Sequence, residues 1–243
     1  MKSQDIHYKL MQKNIMPLNM NGLNGRMLHI KSAKAKKREI LMIYGIHASL
    51  ERIYGIAESL SDYGNVTVPD LPGFGGMQSF YTIGMVPSVD TMADYLASFI
   101  KLRYRGKKIT LAGMSLGFVI ATRMLQKYPD LVRKVDILVS VVGFSHKYDY
   151  SLAKPRYYFY LYGTKFFSSR VTSLFFYNVF LHPTAIRLAY SKTHKSNKKM
   201  KNLTLEETKR AIDFEVNLWR NDDIRTYMVL MSEMLEINNC NQQ

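Results

Sequence analysis

Ile109-Thr-Leu-Ala-Gly113-Met-Ser115-Leu-Gly117-Phe118 is the stretch that decides how this chain is read. A strand-like run ends in Gly-Met-Ser-Leu-Gly, and a helix-like segment, Phe118 to Tyr128, follows and stops at Pro129. Gly-x-Ser-x-Gly between a strand and a helix presents the serine on a sharp turn above the carboxyl edge of a sheet. The glycines are steric requirements. A side chain at Gly113 or Gly117 would collide with the strand or helix that the turn brings close.

Upstream of this turn the pattern alternates. Residues 1–15 read as a short polar helix, and Met16 to Ile30 as two strand pieces around an Asn- and Gly-rich turn, a β-hairpin. Ile40-Leu-Met-Ile-Tyr44 is an unbroken apolar run ended by Gly45, as expected of a strand buried on both faces of a parallel sheet. Ser49 to Tyr63 has helical spacing, with Ile53, Ile56, Ala57 and Leu60 on one face. Val66-Thr-Val68 is a short strand feeding the turn-rich Pro69-Asp70-Leu-Pro-Gly73-Phe-Gly75-Gly76. Ser88 is placed to cap a helix running to about Arg103. Downstream, Val135 to Val142 reads as a further buried strand ended by Gly143. Strands alternating with helices imply a mostly parallel sheet with right-handed crossovers and a ligand site at the carboxyl ends of the strands.

After Gly143 the texture changes. Residues 146–243 show no strand alternation and read as helices, near 154–167, 171–181, after Pro183, 205–220 and 222–237. Thr204 with Glu207 forms a capping box for the fourth. The expected division is an α/β core over 1–145 and a helical cap over 146–243.

With those residues in view, the chain resembles the α/β-hydrolase family, in particular its capped esterase- and lipase-like members. Three stretches in family order carry the resemblance: Ile40–Gly45, Asp70-Leu-Pro-Gly73-Phe-Gly75 and the Gly113–Gly117 elbow. The resemblance implies the α/β-hydrolase fold, helices on both faces of the sheet and a cap after the sixth strand. It implies a serine hydrolase acting on a carboxylic ester through an acyl-serine intermediate, with no metal or other cofactor. Ser115 would be the nucleophile. The oxyanion would be held by the backbone N–H groups of Leu116, just after it, and Ile46, just after Gly45. Tyr44 stands where the family commonly has a structural histidine. Asp70 reads as support for the Pro-Gly loop, and His47 either lines the pocket or caps the next helix.

A serine hydroxyl needs a base, usually histidine oriented by a carboxylate. In the family both follow the cap, on later strands, and no such strand, acid or histidine follows Ile237 here. Either the sequence given is truncated, or the protein uses other residues or none. His146 and Asp149, just past the sixth strand, are the candidate base and acid; the plainer reading places both in the hinge to the cap. His182 and His194 lie in the cap, and His7 and His29 are expected to be remote. The alternative to an enzyme is a truncated or inactive relative that binds a ligand or partner in the retained cleft.

The net charge of +15 comes from lysines and arginines spread along the chain, with two denser runs at Lys31–Arg38 and Lys192–Lys201. Solvated loops explain most of it. An anionic membrane surface is the partner it would suit, and no nucleic-acid motif accompanies it. The aromatic run Tyr157–Tyr162 with Phe166, Phe167, Phe175, Phe176 and Tyr177 is expected to pack the cap and to favour an apolar ester. The single cysteine, Cys240, excludes an internal disulfide framework. With no signal-peptide pattern and no stretch of ~20 apolar residues, the expectation is a cytoplasmic protein.

Overall fold

The computed structural model describes residues 3–149, 152–196 and 204–239. Helix α1 (Ser3–Asn14) precedes the hairpin β1 (Ile15–Met20) and β2 (Leu23–Ile30), which turns at Asn21 and Gly22, both at positive φ. There follow β3 (Glu39–Ile43), α2 (Leu50–Leu60), β4 (Asn65–Pro69), a 3-10 turn at Phe80–Ile83, α3 (Val89–Arg103), β5 (Ile109–Met114) and α4 (Leu116–Lys127). The short helix α5 (Pro129–Val132) then leads to β6 (Val135–Val141).

The six strands form one sheet in the order β1-β2-β4-β3-β5-β6. The pairs among β3, β4, β5 and β6 are parallel, and β2 joins them antiparallel along β4. The chain steps from β3 to β4 on one side, then crosses back over β3 to lay down β5 on the other. β3 is therefore the switch point, and the loops after β3 and β5 diverge from adjacent strand ends. Register sets their meeting: Ile43 is opposite Gly113, so Gly45 arrives beside Ser115.

The apolar run of β3 is buried as its sequence requires, with Leu41, Met42, Ile43 and Tyr44 all 0–1% exposed. Each such side chain contributes about 1.5–3 kcal/mol through burial. Ser88 caps α3 in a capping box with Thr91, and Thr204 and Glu207 form the expected box. Three expectations need correction, the first being the aromatic run, since Tyr158, Phe159, Tyr160, Tyr162, Phe166 and Phe175 are exposed and do not pack a core. Pro129 does not simply end α4; it opens α5, where its missing N–H costs nothing. β6 is not buried: Ile137, Leu138 and Val139 are 36–41% exposed. β6 pairs with β5 on one side only, and among the described residues no strand covers its other edge.

Beyond β6 lie α6 (Lys154–Phe166), α7 (Arg170–Val179), α8 (Pro183–Ser196), α9 (Leu205–Asn221) and α10 (Ile224–Leu235). Leu181, Ile186, Val216, Ile224 and Met228 make a second small core, against which Phe167, Phe176 and Tyr177 pack. Helix α10 spans both cores, since its Leu230 and Met234 belong to the main one. No described helix is long and apolar enough to cross a membrane.

Candidate active site

Ser115 sits between β5 and α4 at φ 48° and ψ −116°. That is a strained backbone for a residue with a Cβ, costing on the order of 1–3 kcal/mol. Its surroundings hold it there. The Ser115 N–H donates to Val141 O at 3.1 Å, and Phe118 and Val119 N–H donate to Ser115 O at 2.9 and 3.3 Å. The glycines let the turn close: a Cβ on Gly117 would lie 2.2 Å from Ile43 O, and one on Gly113 2.5 Å from Phe118 Cα. Although Ser115 is the N-cap residue of α4, its hydroxyl makes no cap hydrogen bond and is free among the described residues.

The loop after β3 closes onto the same point. A Cβ on Gly45 would lie 3.2 Å from Ser115 Cβ and 3.8 Å from its Oγ. Ile46 follows directly. Neither the Ile46 nor the Leu116 N–H is engaged in a backbone hydrogen bond among the described residues. Leu116 also opens a 12-residue helix, whose N-terminus favours developing negative charge.

Behind this loop Tyr44 replaces the histidine of the family pattern. Its buried hydroxyl donates to Asp70 Oδ1 at 3.0 Å and accepts from the Leu71 N–H at 2.8 Å. Burial pushes the Asp70 carboxyl up to about 8, against the pull of Arg26, whose Nε lies 3.1 Å away. Asp70 thus holds the loop that follows β4, the structural role expected of it.

The histidines fall into distinct settings. At the end of β6, the Asp149 carboxylate accepts from the Ser145 and His146 backbone N–H groups at 2.9 and 3.0 Å, which hold its pKa below the usual carboxylate range. His146 Nδ1 accepts from the Tyr148 N–H at 3.2 Å. No hydrogen bond among the described residues joins Asp149 to the imidazole, or either residue to Ser115. His182 bonds Thr184, and His29 bonds Thr67. The side chains of His7 and His194 lie outside the described residues, as does Cys240.

His47, one residue beyond Ile46, shows what sequence reasoning missed. Its Nδ1 lies 2.8 Å from Asp222 Oδ2 and its Nε2 3.5 Å from Glu215 Oε2. Its ring stacks on Trp219, with centroids 3.7 Å apart. Arg52 of α2 and Tyr190 of α8 complete the cluster by donating to Glu215. Burial lowers the proton affinity of His47, but Asp222 and Glu215 more than offset it and the pKa is raised. Asp222 is fully buried, and that burial raises its carboxyl pKa despite His47. No local signal could link residues 175 positions apart.

The chain matches the sequence model of the α/β hydrolase fold over residues 39–228. Among solved structures it is similar to a deformylase of N-formylmaleamic acid from Pseudomonas putida S16, with 17% identity and a TM-score of 0.59, covering 93% of this chain and 75% of that one. An esterase from Thermogutta terrifontis matches at 16% identity and TM-score 0.57, over 93% and 72%. A bacterial membrane phospholipase A matches at 16% and 0.62, over 97% and 68%. At these identities the likeness is one of fold. No curated protein sequence matches the chain.

Proposed function

Because the chain belongs to the α/β-hydrolase fold family, we propose that it hydrolyses a carboxylic ester through an acyl-Ser115 intermediate. The observation that carries this reading is Ser115 itself, strained at positive φ, at the head of α4, with its hydroxyl unspent on capping. A base takes the hydroxyl proton as Oγ attacks the ester carbonyl. The resulting oxyanion is received by the Ile46 and Leu116 N–H groups. The alcohol leaves with the proton, and water then attacks the acyl-enzyme.

Two imidazoles compete for the role of base. His146, with Asp149 as acid, follows β6 at the carboxyl edge of the sheet. His47 follows the oxyanion donor Ile46 and carries a buried carboxylate on Nδ1, as a catalytic histidine does, but its Nε2 faces Glu215 and has to leave it to serve Ser115. An apolar ester suits the aromatic side chains that α6 leaves exposed, Phe159, Tyr162 and Phe166. That face and the net positive charge also suit contact with a membrane surface.

The second reading, an inactive relative that binds a ligand in the retained cleft, is favoured by one observation: no described imidazole bonds Ser115 Oγ. A fluorophosphonate probe separates the two. Labelling that vanishes in Ser115→Ala supports the nucleophile, and its loss in His47→Ala or His146→Ala identifies the base. A Ser115 that is never labelled, under conditions where the fold is intact, sinks the hydrolase reading.

A further inference from the structure

Away from Ser115, a cleft of about 670 Å³ opens between the 3-10 turn at Phe80–Ile83, α7 and the junction of α9 with α10. Three arginines line it: Arg170 at the start of α7, Arg220 near the end of α9 and Arg225 in the first turn of α10. Ser115 is not among its lining residues.

Two of these guanidiniums are held in place by rings. Arg220 lies over Tyr177, 4.0 Å from the ring centroid, and Arg225 over Tyr81 at 3.9 Å. Arg225 Nε also donates to Ser168 O at 3.2 Å. Stacking uses the face of a guanidinium and leaves most of its in-plane N–H donors available.

The charge around them is uneven. Arg26, Arg52, Arg123 and Arg187 each pair with a carboxylate elsewhere in the fold. Among the described residues, no carboxylate lies within ion-pair distance of Arg170, Arg220 or Arg225. Two acids also line the cleft, and Asp223 offsets part of the positive charge. Asp222 is bound to His47, and Asp223 Oδ1 accepts from the Thr226 N–H as the N-cap of α10. Three guanidiniums on one cleft, against Asp223 and the His47-paired Asp222, leave the lining positive and favour an anion there. Planar forks in this number match an oxyanion with several acceptor oxygens.

We infer that this cleft binds a phosphoryl group, carried by a lipid headgroup or by a soluble phosphate ester. The volume is that of an ordinary small-ligand site. The inference is independent of ester hydrolysis at Ser115.

The test is calorimetric titration of the full chain with inorganic phosphate at constant ionic strength, beside acetate as a monovalent comparison. Saturable phosphate binding, tighter than acetate, is expected. The double variant Arg170→Gln/Arg220→Gln should weaken it about tenfold or more. Arg105→Gln/Arg133→Gln removes the same charge elsewhere and should leave it within about twofold. Arg170→Lys/Arg220→Lys keeps the charge and loses the forks; weakened binding there assigns the effect to geometry and guards against misfolding of the glutamine pair. Co-sedimentation with phosphatidylglycerol vesicles, reduced only by the cleft variants, identifies a headgroup. Phosphate binding without vesicle recruitment identifies a soluble ester. No saturable phosphate binding, binding no tighter than acetate, or equal weakening by both glutamine pairs overturns the proposal.

Discussion

His47 donates from Nδ1 to Asp222 Oδ2 at 2.8 Å, tying the loop that carries Ile46 to the junction between α9 and α10. The partner carboxylate is fully buried. The contact therefore does two things: it fastens α9 and α10 to the loop that follows β3, and it fixes the backbone one residue beyond a proposed oxyanion donor.

Breaking this contact from the histidine side should be costly. His47→Ala strands a buried carboxylate, and a loss of about 3 kcal/mol is expected in urea melts. Asp222→Asn, which keeps the shape and removes the charge, is expected to cost less. Equal stability of His47→Ala and the native chain would show that the contact is idle.

The same pair predicts a pH dependence. The folded-state pKa of His47 lies above its unfolded value near 6.5. Its contribution is thus complete below that value and is lost as pH rises through the folded pKa. Asp222, Glu215, Arg52, Tyr190 and Tyr227 face it. The tyrosines do not titrate near neutrality: burial raises the pKa of both, that of Tyr227 to about 12. The stability gap between the native chain and His47→Gln should shrink as pH rises above about 6.5. A gap that widens over that range would reverse the assignment.

Two glycines should respond oppositely to alanine. In Gly117→Ala the new Cβ meets the Ile43 backbone carbonyl at 2.2 Å, and because backbone cannot yield as a flexible side chain does, little soluble folded protein is expected. Gly163, inside α6, has nothing within 4 Å of the added carbon. Gly163→Ala should stabilise by about 0.5–1 kcal/mol, read from the shift in denaturation midpoint.

Strain at the nucleophile can be measured as a gain. Ser115→Gly relieves a φ of 48° and should raise stability by about 1 kcal/mol, or roughly 2–4 °C in Tm, while abolishing fluorophosphonate labelling. A fall in Tm would show that the serine side chain supplies support the hydrogen bonds do not reveal.

The open edge of the sheet predicts behaviour at high concentration. Leu138 sits in the middle of β6 and is 38% exposed. Edge strands of this kind template pairing with other chains, and lysine is the usual remedy. Leu138→Lys should reduce light scattering on concentration or heating without changing the far-ultraviolet spectrum.

The core was legible in the sequence because its signals are local. The buried run of β3 has no polar residue to argue over, Ser88 and Thr204 carry their own capping chemistry, and the elbow needs glycine at fixed offsets from Ser115. β6 shows where local reading stops. Val-Asp-Ile-Leu-Val-Ser-Val has the composition of a central strand, and only its position in the strand order reveals that it lies at an edge. The cluster around His47 was illegible for the same reason. Trp219 and Asp222 look like ordinary residues of an amphipathic helix end until the fold sets them against residue 47.

Residues 237–239 return to the core after α10. Asn239 Nδ2 donates to Thr122 Oγ1 at 3.1 Å and Gln126 Nε2 donates to Asn239 O at 2.5 Å, while the Asn239 N–H reaches Ser145 O at 2.9 Å. Both Thr122 and Gln126 belong to α4, the helix that presents Ser115. During synthesis the elbow emerges more than a hundred residues before Asn239, whose contacts help steady its helix. A ribosome-bound intermediate that has released only residues 1–145 would carry Ser115 on a helix without its Asn239 contacts, so reactivity toward a serine probe should mature once residue 239 has emerged and not when the motif itself appears.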